Sequence, residues 1–437
     1  MITILIGALV LTLPVCSATG KLTDPITALF TATTSVCVTG LVVVDTFSYW
    51  SIFGQAVILV LIQLGGLGII TVTSALMLIS RKKFSLGDRM MLQDALNLNS
   101  SHGIVRFLTR IITGTLLVEL TGALLYMIRF VPKYGPVKGV WVSVFTAISA
   151  FCNAGIDILG PNSLEGYRQD PLVLFITMTL IILGGLGYVV WFDIQQKAGE
   201  GYFKKFSLRQ VWSRFSEHTK LVLTLTLVLI NAGAVMIFLT ERSNPDTIGS
   251  MSIGYKLLNS LFESVTFRTA GFATFPQKAL NESSCIVAFV LMFIGGSPVG
   301  TAGGIKTVTF FLVLMNVIYY IRGRQITVFR KAVCEEMMRK ATAIAAVSFG
   351  AVVIITFALM LTNPVSMADG LFEVVSGCAT VGLTRGLTPS LNTAGRLLII
   401  LSMYLGRIGP ISMAVVFVKL GHSDHINRYT EGNFYVG

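Results

Sequence analysis

Four short stretches that end in glycine carry the residues best suited to chemistry in this chain: Phe30-TATTSVCVT-Gly40, Phe145-TAISAFCNA-Gly155, Phe262-ESVTFRTA-Gly271 and Phe372-EVVSGCATV-Gly382. Their glycines are spaced by 115, 116 and 111 residues. Their chemistry is that of the backbone: carbonyl oxygens turned inward to replace the water around a cation. The residues assigned to that role are Val38, Thr39 and Gly40; Asn153, Ala154 and Gly155; Thr269, Ala270 and Gly271; and Thr380, Val381 and Gly382. Extended backbone is expected from Val36, Phe151, Phe267 and Ala379 onward. Glycine suits the end of each strand because it reaches φ > 0 at little cost and admits another backbone closely.

Such strands need supports, and the spacing supplies them. Segments such as 25–36 and 141–151 are too short to cross a ~30 Å hydrocarbon layer as helix and read as re-entrant pore helices. Each would begin at the outer surface and point its partially negative C-terminus at the axis, where a dehydrated cation would sit. Glu263 and Glu373 take matching places early in the third and fourth pore helices, from which they would draw cations to the outer mouth. The next helix in every unit carries a glycine-rich run 24 to 29 residues beyond the first glycine: Leu64-GGLG-Ile69, Leu183-GGLG-Tyr188, Ile294-GGSPVGTAGGIKT and Leu405-GRIGP. The chain therefore reads as an all-α integral membrane protein of four membrane helix, pore helix, membrane helix repeats around a pseudo-fourfold axis. The repeats are placed at 1–80, 81–195, 196–321 and 322–421, followed by a polar cytoplasmic tail at 422–437.

Composition agrees. Of the 437 residues 54% are hydrophobic and 12% charged, with a mean hydropathy of +0.77, too much apolar surface for a water-soluble fold to bury. Apolar stretches at 50–80, 171–192, 217–240, 338–361 and 394–418 reach or approach the length of a span. Met1 to Ser17 reads as a short first membrane helix, since it lacks the basic flank of a signal peptide. The net charge of +12 is not a nucleic-acid footprint, because Lys and Arg lie between apolar spans instead of on one soluble face. Segments 81–110, 196–220, 321–340 and 419–437 hold 20 of the 33 Lys and Arg, which places them and both termini in the cytoplasm.

The third repeat departs from the others. Gly295, Gly296, Pro298, Gly300, Gly303 and Gly304 make a continuous helix over 283–320 improbable, since each interior glycine costs about 1 kcal/mol and proline about 3. Freed backbone is tolerated in a membrane only where it lines water or protein, so an intramembrane loop is expected just below the carbonyl ring. Arg407 lies about 13 residues into the last helix, near the bilayer centre, where an unpaired arginine costs about 2.5 kcal/mol or more. It is expected to face the pore and bond carbonyls of that loop. Lys306 has two readings of equal weight: it snorkels to the cytosolic side or helps to block the path.

These motifs resemble those of the Trk, Ktr and HKT superfamily of potassium transporters, above all the membrane subunits of Ktr systems. TATTSVCVTGL, AFCNAGID, SVTFRTAGFAT, GGSPVGTAGGIKT and GRIGP stand in the family's order over nearly the whole chain. The resemblance implies potassium uptake into the cell, with sodium as a modulator and no covalent cofactor. It maps the selectivity-filter glycines onto Gly40, Gly155, Gly271 and Gly382. It makes the segment Gly295 to Thr307 the gate, with Gly295, Gly296, Gly300, Thr301, Ala302, Gly303, Gly304, Lys306 and Arg407 in it. It also implies a homodimer with one pore per protomer, and a cytosolic ring of nucleotide-binding subunits as a separate chain. Some plant relatives that favour sodium carry serine at the first glycine, so Gly40 argues for potassium.

Other classes fit less well. A membrane enzyme acting on lipid would need clustered His, Asp or Glu at one level, and a secondary transporter with inverted repeats would not show four units of one direction. No nucleotide-binding GxxxxGK[ST] sequence occurs. The six cysteines form no CxxC pair and read as small apolar fillers. Arg268 is expected to prop the filter by pairing with Glu263 or Glu373. Glu119 and Asn231 are expected to hydrogen-bond between helices. His102, His218, His422 and His425 read as solvated surface.

Overall fold

The computed structural model describes residues 1–68, 104–323, 327–329 and 331–409. The boundary at residue 80, the tail at 422–437 and three of the four histidines, His102, His422 and His425, lie outside the described residues. Repeat one comprises α1 (Ile2–Leu11), α2 (Pro25–Cys37), the single turn α3 (Thr46–Tyr49) and α4 (Ile52–Leu67). Repeat two comprises α5 (Ile104–Tyr134), α6 (Pro136–Cys152), α7 (Pro171–Leu186) and α8 (Tyr188–Phe203), followed by α9 (Leu208–Arg214). Repeat three comprises α10 (Glu217–Glu241), α11 (Ile253–Thr266), α12 (Glu282–Phe293) and α13 (Thr307–Arg322). A two-residue-per-strand hairpin, β1 (Thr327–Val328) and β2 (Lys331–Ala332), leads to repeat four: α14 (Glu335–Thr362), α15 (Met367–Cys378) and α16 (Thr393–Ile408).

The pore helices α2, α6, α11 and α15 have 13, 17, 14 and 12 residues, about 18 to 26 Å of helix, and none of them crosses a bilayer alone. Local signals fix where two of them begin. Pro25 opens α2 with the Asp24 carboxylate accepting from the Thr27 amide at 3.0 Å, and the Ser366 hydroxyl accepts from the Asp369 amide at 3.1 Å to open α15. Each pore helix packs on the first helix of its own repeat. The second helix of each repeat then packs on the next pore helix: α4 on α6, α7 on α11, α12 on α15, and α16 on α2. The last pair closes the ring and defines the pseudo-fourfold axis.

The long first helices α5, α10 and α14 are each apolar enough over at least 25 residues to span a membrane, and two thirds or more of each apolar window faces outward. Leu117, Leu120, Leu227, Leu239, Ile354 and Phe357 are exposed on them. Apolar residues all round a helix call for lipid as the outer solvent. The stretch 171–192, expected to reach or approach the length of a span, is bent by 99° between α7 and α8.

Nor is the third repeat alone in breaking. The second helices of the other three repeats end at Gly68, Gly187 and Gly409 with nearly the same backbone, φ 84, 87 and 85°. Only glycine adopts that conformation with ψ near 140° at low cost. In the second repeat the helix resumes at once, at Tyr188, whereas in the third the break runs over residues 294–306 before the helix resumes at Thr307.

A buried carboxylate secures that repeat at its other end. Glu241, fully buried at the end of α10, accepts hydrogen bonds from the Asn244 side chain (2.7 Å), the Thr247 hydroxyl (2.8 Å), the Asn281 amide (2.9 Å) and the Ser284 hydroxyl. Glu241→Ala takes an acceptor from all four donors and leaves the Asn281 amide without its partner, and should cost about 3 kcal/mol. Thermal unfolding in detergent would read this as a lower Tm, whereas an unchanged Tm would mean that the network carries no stability.

Candidate ion pathway

The four glycine strands meet. A Cβ built on Gly155 would lie 2.6 Å from the Ala270 oxygen and from Gly271 Cα; one on Gly271 would lie 2.5 Å from the Val381 oxygen. On Gly40 it would strike the Ala154 oxygen, and on Gly382 the Thr39 oxygen. Strand one therefore touches two, two touches three, three touches four and four touches one, with no side chain between them. All four glycines also line one open cavity of about 450 Å³, whose walls carry Asp45, Asp157 and Glu165 against Lys278 and Arg385.

The strands begin later than expected. Val36 and Cys37 are still helical in α2, as are Phe151 and Cys152 in α6, and the turn comes at the following residue. There Val38, Asn153, Thr269 and Thr380 adopt left-handed backbone, φ 56, 58, 69 and 50°, two residues before each glycine, whose own φ is also positive. A β-branched residue in this region is strained, and the same strain recurs in three of the four repeats. Alternating hand along a strand lets successive carbonyls face one side. The Thr39 and Thr269 hydroxyls, the Asn153 side-chain nitrogen and the Thr380 hydroxyl are buried without a protein partner.

The glycine runs of the second helices serve close packing. A Cβ on Gly65, Gly184 or Gly406 would collide with the carbonyl oxygen of Val36, Phe151 or Cys378, each four residues before a ring glycine. In the third repeat Gly295 instead abuts the Gly303 carbonyl, because the chain folds back on itself. The Gly295 amide bonds the Ile305 oxygen (2.9 Å) and the Ile305 amide the Phe293 oxygen (3.1 Å), pinning the two ends of the loop together.

This loop passes beneath the ring. The Thr301 hydroxyl donates to the Phe151 oxygen (3.1 Å), and the Thr301 and Ser297 amides donate to Gly184 and Gly185, all of repeat two. Gly303 lies against Thr380 and the Ala379 carbonyl of repeat four, and Gly296 and Gly300 pack on Gly185 and Gly184. The loop of repeat three thus contacts both neighbouring repeats at the inner ends of their pore helices. Arg407 fixes it there, donating through Nη1 to the Thr301 oxygen at 2.7 Å and through Nη2 to the Gly65 oxygen of repeat one. The Lys306 ammonium turns back to the Ala302 oxygen at 2.7 Å and stays within the loop.

Several polar residues sit elsewhere than expected. Glu263 and Glu373 are fully buried in the middle or second half of their pore helices, because α11 begins as early as Ile253 and α15 at Met367. Glu263 holds Thr274 and Gln277, and Glu373 holds Thr384 (2.8 Å) and Thr388, so both tie down the chain that climbs away from the ring. Arg268 pairs with neither. It occupies the place of Cys37, Cys152 and Ala379 in the other repeats, and its guanidinium reaches 3.4 Å to the Gly295 oxygen, at the start of the loop. Glu119 does bond between helices, to Gln63 of α4 at 3.1 Å, whereas the Asn231 side chain donates to the Leu227 carbonyl of its own helix. Of the cysteines, four are buried, Cys378 is half-buried and Cys334 is exposed at the start of α14; all six thiols are free. His218 is half-buried at the start of α10.

An apolar-jacketed helical ring, with four half-length helices whose strands meet at one open cavity, defines a membrane protein built around a pseudo-fourfold axis. The family model for TrkH, described as cation transport protein, matches residues 5–429, and the chain belongs to that family. It is 41% identical over 437 residues to the Ktr system potassium uptake protein B of Bacillus subtilis, covering all of this chain and 94% of that protein. It is 35% identical to the potassium/sodium uptake protein NtpJ of Enterococcus hirae, covering 100% and 95%. The crystal structure of the potassium transporter TrkH from Vibrio parahaemolyticus shares the fold, with a TM-score of 0.73 at 15% identity, over 95% of this chain and 82% of that one. The chain is accordingly a transport protein and not an enzyme.

Proposed function

We propose that this chain takes up potassium across the plasma membrane through the ring of Val38 to Gly40, Asn153 to Gly155, Thr269 to Gly271 and Thr380 to Gly382. The observation that carries this reading is that the four glycines lie backbone to backbone at the base of a single cavity. Backbone oxygens held at such close quarters can stand in for the hydration shell of a cation, and the names of the relatives supply potassium as the ion. The half-helices aim their negative ends at the same point. The cavity then faces the outside, and both termini face the cytoplasm, where the basic segments concentrate.

In this reading the loop from Gly295 to Thr307 and Arg407 form the gate. The loop obstructs the path below the ring, and Arg407 holds it and raises an electrostatic barrier to a cation. A separate cytosolic ring of nucleotide-binding subunits biases the loop, two copies of this chain associate, each with its own pore, and sodium modulates transport, as the potassium/sodium name of one relative suggests. The test is potassium uptake by a transport-deficient cell that expresses this chain with and without a Ktr-type regulatory ring, at varied external sodium. Uptake that rises with the ring and with sodium supports the reading. Sodium-coupled exchange of another small solute, without potassium or rubidium uptake, overturns it.

A further inference from the structure

Every pore helix carries a hydroxyl four residues after its buried phenylalanine. Thr34, Ser149, Thr266 and Ser376 follow Phe30, Phe145, Phe262 and Phe372, and all eight residues are fully buried. The interval holds in the third repeat, although that repeat is one residue shorter between its phenylalanine and its glycine. The hydroxyl is thus registered to the helix, and the strand is drawn to it.

Three other hydroxyls of α2 close on their own turn. Thr31, Thr33 and Ser35 donate to carbonyls four residues back at 2.6 to 2.9 Å, as hydroxyls in helices commonly do. The four named above reach the ring strand instead, in two ways. In repeats one and four the hydroxyl accepts from the glycine amide: Gly40 N to Thr34 Oγ1 at 2.9 Å and Gly382 N to Ser376 Oγ at 3.0 Å. In repeats two and three it donates to the carbonyl just past the glycine: Ser149 Oγ to Ile156 O, and Thr266 Oγ1 to Phe272 O at 2.6 Å.

The planar trans peptide turns these bonds into carbonyl orientations, because its N–H and C=O point opposite ways. Drawing the Gly40 and Gly382 amides back toward the helix sends the Thr39 and Val381 carbonyls forward, toward the neighbouring strands they already touch. Drawing the Ile156 and Phe272 carbonyls back removes them from the axis, which ends the run of inward oxygens just above Gly155 and Gly271. Two hydroxyls set the oxygens that face the ion, and two set where the site stops.

We propose that Thr34, Ser149, Thr266 and Ser376 are positioning residues that determine ion specificity. The proposal rests on the reading of the glycine ring as the filter. It is tested on the full chain in proteoliposomes by the ratio of rubidium to sodium flux, which a loss of folding or abundance alone would not move. Thr34→Val keeps the shape and removes the acceptor, and Ser376→Ala removes a single oxygen. Each should lower the ratio at least tenfold while flux persists. Thr34→Ser should keep it within twofold, as should Thr33→Val, which deletes the adjacent hydroxyl bonded to Leu29. Should Thr34→Val fail to yield monodisperse protein, Ser376→Ala and Ser149→Ala carry the test. A ratio unchanged in these variants but lost in Gly155→Ala overturns the hydroxyl proposal and leaves the ring standing. A ratio unchanged in Gly155→Ala as well overturns both.

Discussion

Gly155→Ala is expected to lower selective rubidium uptake by about a hundredfold. The new methyl group would meet backbone alone: the Ala270 oxygen and Gly271 Cα at 2.6 Å and the Gly271 carbonyl carbon at 2.9 Å. No side chain is present to rotate away, so strand two or strand three must retreat and the ring must widen. Overpacking of this kind costs about 1 to 3 kcal/mol. A left-handed backbone at a residue with a Cβ adds about 1 more or above, since the φ here is +64°. Together these approach 3 kcal/mol, and each 1.4 kcal/mol is a factor of ten. Sodium flux should fall less, because a widened ring penalises the ion that relied on close oxygens. Uptake in cells lacking their own potassium transporters, followed as rubidium against sodium, measures both; equal losses for the two ions would mean that the strand is merely structural.

Arg407→Ala is expected to raise ion flux at least tenfold in the absence of any regulatory partner. The guanidinium joins two parts of the molecule, the Thr301 carbonyl of the loop and the Gly65 carbonyl of repeat one. Hydrogen bonds from a charged donor contribute about 1.5 to 3 kcal/mol each, and the charge itself opposes a cation on the axis. Removing both the clamp and the charge favours the open arrangement of the loop. Arg407→Lys should not restore the parent behaviour, because an ammonium is a point donor and cannot span two carbonyls as the planar fork does. Flux no higher than the parent in the alanine variant would remove Arg407 from the gate.

What could be read from the residues, and what could not, divides along physical lines. Gly40, Gly155, Gly271 and Gly382 were legible because a backbone contact in left-handed conformation admits no other residue. The loop was legible because glycine and proline at that density cannot continue a helix. The strain at Val38, Thr269 and Thr380 was not, since nothing in a valine or threonine announces φ > 0; it is imposed by the neighbouring strands and by the backbone bonds from Thr39, Ala270 and Val381 to the helix ends behind them. Glu263 and Glu373 were misplaced because a pore helix begins where its cap lies, at Ser252 and Ser366, well before the apolar phenylalanine that marks the repeat. Arg268 reaches Gly295 and not a carboxylate because the loop, whose path only three dimensions show, brings a carbonyl nearer. The glycine runs of α4, α7 and α16 were recognised as a repeat, yet their close seat on the pore-helix carbonyls follows from packing between elements. The hydroxyls at Thr34, Ser149, Thr266 and Ser376 were in plain view as a phenylalanine followed at the fourth place by serine or threonine, a signal that a search for glycine alone passes over.

The most direct test of carbonyl coordination is anomalous diffraction from crystals of this chain grown in rubidium. Coordination by the four strands predicts a peak on the pseudo-fourfold axis within direct-contact distance of the backbone oxygens of Val38, Asn153, Thr269 and Thr380 or of the residues that follow them, and its disappearance when sodium replaces rubidium. Rubidium bound only elsewhere, with the ring unoccupied at saturating concentration, would contradict it.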